Sequence, residues 1–94
     1  MEIDVRGKKV VLRDRIPARE GWPLRDLVLR GAQGERLSFD EEAQALSYMV
    51  ESWEFDGDPR EAESYAGLDL AEFLTLATEA AKNFREMLTG PAKN

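Results

Sequence analysis

The stretch that decides the fold lies at residues 69–90 and reads DLAEFLTLATEAAKNFREMLTG. Asp69 can cap a helix, because Glu72 follows three residues later as the partner in a capping box. At about 100° per residue, the apolar side chains of this stretch share an arc of roughly 160°, and the polar side chains share the remaining arc. The sequence therefore predicts a long amphipathic helix over residues 70–89 that buries one full face.

A second helix is predicted over residues 39–54. Ser38 and Glu41 repeat the capping-box spacing, and apolar side chains recur at helical spacing as far as Trp53. The acidic turn at residues 56–59, which reads DGDP, ends this helix because glycine permits a positive φ and proline blocks helical continuation. We expect two amphipathic helices joined through an acidic turn.

The N-terminal residues 2–13 predict a β-hairpin with a two-residue turn at Gly7-Lys8. The register that follows from this turn pairs Arg6 with Lys9, Val5 with Val10, and Ile3 with Leu12. One face of the hairpin is then apolar on both strands. Because two strands alone are marginally stable in water, the hairpin needs cover from the helices or a further strand.

Four less regular segments complete the predicted architecture. The first two are a basic loop at 14–23 and a short helix or strand at 24–30 that begins after Pro23. The third is a helical turn or two at 60–66, anchored by Tyr65. The fourth is a helix stop at Gly90-Pro91, which precedes a loose tail at 91–94. The predicted fold class is mainly α with a short N-terminal β-hairpin, an α+β fold in a single domain over residues 1–94.

The composition favours a soluble domain in the cytoplasm. The chain has 94 residues, of which 43% are hydrophobic and 34% are charged, so it is too apolar to be disordered. Its apolar runs are shorter than the roughly 20 residues that a membrane span needs, and the first residues lack the apolar segment of a secretory signal. We expect no membrane partner.

The residue types argue against an enzyme. The chain has neither cysteine nor histidine, which removes thiolate ligands and the commonest general base. Glu54, Asp56 and Asp58 form an acidic cluster, but their spacing lacks the later ligands of a calcium loop. We therefore expect no catalytic residues, no metal and no cofactor.

Charge is distributed unevenly along the chain. Residues 1–36 carry nine Lys/Arg and six Asp/Glu, a charge of +3, whereas residues 37–94 carry four and thirteen, a charge of −9. An acidic body disfavours nucleic-acid binding, which requires a dominant positive surface. The asymmetry is compatible with head-to-tail self-association, although a solvated charge pattern without a role explains it as well.

Two features point to a protein-binding surface. Trp53 stands beside the acidic turn, where a large ring is only partly coverable, and tryptophan beside charge is typical of binding hot spots. The apolar arc of the long helix is also wider than one small partner helix would cover, so a groove for an extended or helical segment is expected.

Two runs of the sequence resemble the tail assembly chaperones of long-tailed bacteriophages. They are VESWEFDGDP at residues 50–59 and YAGLDLAEFL at residues 65–74. In that family of small acidic proteins a helix ends at a tryptophan, a Gly/Pro turn follows, and a helix with a Leu-Asp cap closes the domain. The likeness covers about half of the chain, and Trp53, Tyr65 and Phe73 are its motif positions, which we take as candidates for partner binding.

The resemblance implies a non-enzymatic role in virion assembly. Such a chaperone would keep the tape measure protein soluble until tail tube subunits polymerise around it, with the tail tube protein as a possible further partner and with self-association of the chaperone. The alternative hypothesis is a small acidic inhibitor or antitoxin-like protein that binds a basic partner surface through carboxylates. The residues predicted to bind a partner are Trp53, Phe55, Asp56, Asp58, Tyr65 and Phe73.

Overall fold

The computed structural model describes residues 1–89, so the predicted Gly90-Pro91 helix stop and the predicted tail at 91–94 lie outside the described residues. In chain order the elements are β1 Glu2–Val5, β2 Lys8–Leu12, α1 Ala18–Ala32, α2 Phe39–Met49, β3 Val50–Trp53, a 3-10 helix at Ala62–Gly67, and α3 Leu70–Thr89. The strands form one antiparallel sheet in the order β1-β2-β3. The predicted α+β fold class with a long final helix is confirmed.

The N-terminal hairpin forms, but its turn lies one residue earlier than the sequence predicts. The observed pairs are Glu2–Val11, Ile3–Val10, Asp4–Lys9 and Val5–Lys8. The predicted turn at Gly7-Lys8 is therefore wrong, and so are the predicted pairs Arg6–Lys9, Val5–Val10 and Ile3–Leu12. Arg6 and Gly7 form the turn with φ of 50° and 94°, and two positive φ values are the mark of a type I′ turn. Since the pairing shifts by two residues, each side chain keeps its predicted face.

A third strand replaces the predicted end of the second helix. β3 pairs antiparallel with β2 and places Val50 opposite Leu12. The predicted helix over 39–54 is wrong beyond Met49. Val50 is β-branched and has extended backbone angles, φ −92° and ψ 126°, so pairing with the open edge of β2 overrides the helical spacing of the apolar residues. The expectation that the hairpin needs cover from the helices or a further strand is confirmed, since β3 pairs with β2 and α3 packs against β1.

α1 is longer than the predicted segment at 24–30. It begins at Ala18, inside the predicted basic loop at 14–23, and it contains Pro23 in its interior. The predicted start is wrong. The N–H groups of Glu20 and Gly21 already donate to the carbonyl of Pro17, at 2.9 and 2.8 Å, and this first turn is held by ion pairs from Glu20 to Arg13 and Arg60. The alternative of a strand in this segment is wrong as well.

α2 and α3 begin at their predicted caps. The Ser38 hydroxyl accepts the Glu41 N–H at 3.1 Å, and the Ser38 N–H donates to the Glu41 carboxylate at 3.0 Å. At α3, the Asp69 N–H donates to Glu72 at 3.0 Å, and the Asp69 carboxylate accepts the N–H of Ala71 at 3.2 Å. Both helices therefore satisfy part of their first turn with their own side chains.

The core lies between the sheet and the helices, with α3 against β1 and α2 against β3. Its buried residues are Val5, Val10, Leu12, Leu24, Ala43, Ala45, Leu46, Met49, Val50, Tyr65, Phe73, Leu76, Ala80 and Phe84. The predicted helical segment at 60–66 is a 3-10 helix over Ala62–Gly67, and Tyr65 is its fully buried anchor, as predicted. None of the described helices is both long enough and apolar enough to cross a bilayer.

Candidate functional site

α3 carries a second apolar surface beside the face that it buries. Its buried side chains are Phe73, Leu76, Ala80 and Phe84, whereas Leu70, Leu74 and Leu88 are 70%, 53% and 59% exposed. At about 100° per residue, Ala77 and Ala81 lie on the same side of the helix as the exposed leucines. Together Leu70, Leu74, Ala77, Ala81 and Leu88 form what we term the α3 stripe.

A groove runs along the middle of the α3 stripe. It has α1 and α3 as its walls, lies over α2, and has a volume of about 250 Å³. Its lining residues are Leu27, Val28, Gly31 and Ala32 from α1, Leu37, then Glu42, Ala45, Leu46 and Met49 from α2, and Ala77, Ala81 and Arg85 from α3. Ala77 and Ala81 belong to both surfaces, so the groove continues into the stripe. We term the combined surface the helix groove.

The side chains of the helix groove suit a helix better than a small molecule. Gly31, Ala32, Ala77 and Ala81 are short, and short side chains allow a guest backbone to approach to the roughly 8–10 Å between packed helices. The groove is also smaller than the roughly 300–1,000 Å³ of typical small-molecule sites. The lining is mostly apolar, with Glu42 and Arg85 as its charged members, so it offers burial of a guest's apolar side chains.

A second surface feature is the corner around Trp53. The indole N–H of Trp53 donates to the carbonyl of Gly57 at 2.9 Å. Its ring lies 4.7 Å from the ring of Tyr65 and meets Phe55 edge-on at 5.4 Å. Gly57 has a φ of 88°, which a side chain would strain. These contacts hold the acidic turn in one conformation.

Four of the six residues predicted to bind a partner lie at this corner. Trp53 and Phe55 are half-buried, while Asp56 and Asp58 are exposed. The Asp58 carboxylate accepts the N–H of Arg60 at 2.9 Å, so its position is fixed by the turn. The corner combines two half-buried aromatic rings with two exposed carboxylates, and their role in binding stays a prediction.

The other two predicted residues belong to the core. Tyr65 is fully buried and its hydroxyl donates to the carbonyl of Pro59 at 2.7 Å; burial raises the pKa of this hydroxyl well above its usual range. Phe73 is 5% exposed and its ring lies 4.8 Å from that of Phe39. Neither ring lies on the surface, so both side chains support the fold around a site rather than line one.

The sequence pattern predicts one wall of the helix groove and not the other. The width of the apolar arc on α3 indicated a groove. The α1 wall, with Leu27, Val28 and Gly31, was hidden by the late predicted start of that helix. The helical spacing of Leu24, Leu27, Val28 and Gly31 was a signal for it.

Acidic side chains are numerous on the surface, but in the described part of the chain they do not converge. Among residues 1–89, no group of three or more Asp or Glu residues is placed to hold a metal ion. Comparison with known protein families, with functionally characterised proteins and with solved structures found no match to this chain.

Proposed function

We propose that this chain is a non-enzymatic assembly chaperone that holds an amphipathic helix of a client protein in the helix groove. The observation that carries the proposal is the continuity of the groove with the α3 stripe, where Leu70, Leu74 and Leu88 are more than half exposed. Large exposed apolar side chains in one line along a helix mark an interaction surface. A guest helix with apolar side chains at helical spacing would cover them.

The first client to test is a tape measure protein. The resemblance to phage tail assembly chaperones supports this choice through the DGDP turn and the helix that begins at Asp69. Trp53 ends a strand here, so the part of the resemblance in which a helix ends at tryptophan does not support it. In such a role the chain would act in the cytoplasm of the infected cell, with the tail tube protein as a later partner.

The test measures binding of peptides that tile a tape measure protein of a long-tailed bacteriophage. Peptides with an apolar face at helical spacing are expected to bind and to gain helicity by circular dichroism. Leu74→Gln is expected to weaken binding by about tenfold or more, because it puts an amide into the apolar contact. Asn83→Gln, on the opposite side of α3, is the matched control and is expected to bind normally.

Two results would contradict this proposal. Equal binding of scrambled peptides without an apolar face would show non-specific adhesion. Normal binding by the Leu74→Gln variant would show that the peptide does not bind in the helix groove. If helical peptides from unrelated proteins bind through the groove and tape measure peptides do not, the helix-binding function stands and the tape measure client is wrong.

A small acidic inhibitor is the alternative proposal, and the fixed turn at the Trp53 corner favours it. Asp56 and Asp58 are exposed on a loop that hydrogen bonds hold in place, as a rigid mimic of anionic groups requires. Binding to a basic partner through these carboxylates would fall steeply with salt. Replacing both Asp56 and Asp58 with lysine would abolish this binding. If neither added salt nor the charge reversal weakens binding to the partner, this alternative is wrong.

A further inference from the structure

α1 presents an exposed aromatic ridge away from the core. Trp22 is 66% exposed and Leu29 is 41% exposed. The guanidinium of Arg25 lies 4.9 Å from the centre of the Trp22 ring, a cation–π contact at the surface. At about 100° per residue, Trp22 and Leu29 lie opposite Leu24, the buried contact of α1, and Arg25 lies at their flank. We term Trp22, Arg25 and Leu29 the Trp22 ridge.

The Trp22 ridge lies in the basic part of the molecule. Close to it in the chain, two arginines, Arg15 and Arg19, and one carboxylate, Asp26, are exposed; residues 1–36 together carry nine Lys/Arg against six Asp/Glu. Within residues 1–89, Arg25 has its contact with Trp22 and forms no ion pair. An exposed tryptophan with an arginine stacked on it is the composition of an interface anchor.

A recess with the complementary composition lies between α2 and the 3-10 helix. Its volume is about 370 Å³. Its lining residues are Phe39, Asp40, Ala43, Gln44, Ala62, Glu63 and Ala66. Phe39 is 46% exposed, the alanines give a shallow apolar floor, and Asp40 and Glu63 place two exposed carboxylates beside it. We term this the acidic recess.

The ridge and the recess point in different directions on one molecule. α1 packs on the side of α2 that lines the helix groove. The recess residues Phe39, Asp40 and Ala43 lie on the other side of α2. On α1, the Trp22 ridge lies on the side away from α2. A ridge therefore cannot reach the recess of its own chain, but it can reach the recess of another copy.

We propose that the Trp22 ridge of one copy docks in the acidic recess of a second copy, so that the chain assembles head to tail. Trp22 would lie on the alanine floor against Phe39, and Arg25 would lie between Asp40 and Glu63. The complementary charges and the opposed directions select a second copy as the occupant. Such a contact is heterologous, so it propagates into an open chain or a ring rather than stopping at a dimer.

This assembly is independent of the proposed function. Neither the Trp22 ridge nor the acidic recess shares a residue with the lining of the helix groove. Each copy in a row therefore keeps its groove open. Failure of the peptide-binding test would leave this proposal standing, and the reverse also holds.

The test is the average mass of the full chain by light scattering or sedimentation over a roughly hundredfold concentration range. The mass is expected to rise with concentration for the unmodified chain. Trp22→Ala is expected to raise the dissociation constant by about tenfold or more. Arg25→Glu, and the double variant Asp40→Arg with Glu63→Arg, are each expected to stay monomeric. Lys82→Glu, an equal charge change on the exposed side of α3, is the matched control and is expected to assemble normally.

A mixing experiment guards against variants that fail to fold. The Arg25→Glu chain has a reversed ridge and an intact recess, and the double variant has the opposite combination. Mixed together, the two monomeric variants are expected to assemble in alternation. A monomeric unmodified chain at all concentrations overturns the proposal, and so does undiminished assembly by Arg25→Glu or a mixture that stays monomeric.

Discussion

α1 and α3 form opposite walls of the helix groove, and they begin in different ways. α3 begins with Asp69 and Glu72, which bond to backbone N–H groups of their own first turn. α1 begins after Pro17, which offers no side-chain cap. Its first turn is held instead by Glu20, which pairs with Arg13 at 2.7 Å and with Arg60 at 3.3 Å. One wall is fixed by neighbours in sequence, and the other is fixed by Arg13, which follows β2, and by Arg60, which follows the acidic turn.

The two walls also differ in how much they bury. α3 buries four side chains, whereas α1 buries Leu24 and carries Pro23 inside the helix. Because proline has no N–H, the carbonyl of Arg19, four residues earlier, loses its helical partner. α3 is therefore the stable wall of the groove, and α1 depends on contacts made elsewhere.

The largest expected effect separates the two faces of α3. Phe84→Ala is expected to lower the free energy of unfolding by about 3–5 kcal/mol, because it leaves a cavity in the core at a side chain that is 3% exposed. Leu74→Ala is expected to change it by less than about 0.5 kcal/mol, because that side chain is half exposed and alanine is a better helix former. Urea unfolding of both variants measures the difference.

Peptide binding by the same two variants should show the reverse order. Leu74→Ala is expected to weaken binding, and Phe84→Ala is expected to preserve it under conditions where the variant stays folded. Equal losses of stability at both positions would mean that the α3 stripe is part of the core.

The next effect concerns the stability of α1, the wall of the groove that buries fewer side chains. Pro23→Ala is expected to raise the free energy of unfolding by about 2 kcal/mol, since proline inside a helix costs roughly 3 kcal/mol and its rigidity in the unfolded chain returns up to about 1 kcal/mol. Pro17→Ala, just outside the helix, is the control and should bring no such gain. Chemical denaturation of both variants measures it, and a destabilised Pro23→Ala chain would mean that the proline ring is a packing contact.

Local signals explain which parts of the fold the sequence predicts. The capping boxes at Ser38 and Asp69 and the alternation in the hairpin act between residues close in the chain, and the starts of α2 and α3 and the strand faces were predicted correctly. The end of α2 was not, because β3 forms only when the edge of β2 is available to Val50. The start of α1 was missed for the same reason, since Glu20 is held by partners distant in sequence.

In the candidate site, too, the features set by residues close in the chain were predictable and those set by distant contacts were not. The apolar arc of α3 is a local pattern, so one wall of the helix groove could be foreseen. Tyr65 and Phe73 were placed at a partner surface, although their aromatic character fits the core equally well and only the packing of Phe39 and Trp53 decides between the two. The acidic recess joins α2 to the 3-10 helix, and no sequence period connects those segments.

The smallest effect tests the long-range fastening of α1 through pH. The hydrogen bond from Arg13, followed by the charges of Arg13 and Arg60, lowers the pKa of Glu20 below its usual 4.5. A carboxylate whose pKa is lower in the folded chain contributes stability above its unfolded pKa, and this contribution is lost as the pH falls through the folded value. Glu20→Gln is therefore expected to lower the melting temperature slightly near pH 7 and to leave it unchanged at strongly acidic pH.

Salt and a second carboxylate make this test specific. The Glu20 side chain is 36% exposed, so salt should shrink the difference near neutral pH. Glu86→Gln, at an exposed position on α3 that has no ion pair within residues 1–89, is the control and is expected to show no such pH-dependent loss. If both variants lose the same stability near pH 7, overall charge rather than the Arg13–Glu20–Arg60 cluster sets the effect. The start of α1 would then not depend on this cluster, and the contrast between the two walls of the groove would rest on burial and not on how each helix begins.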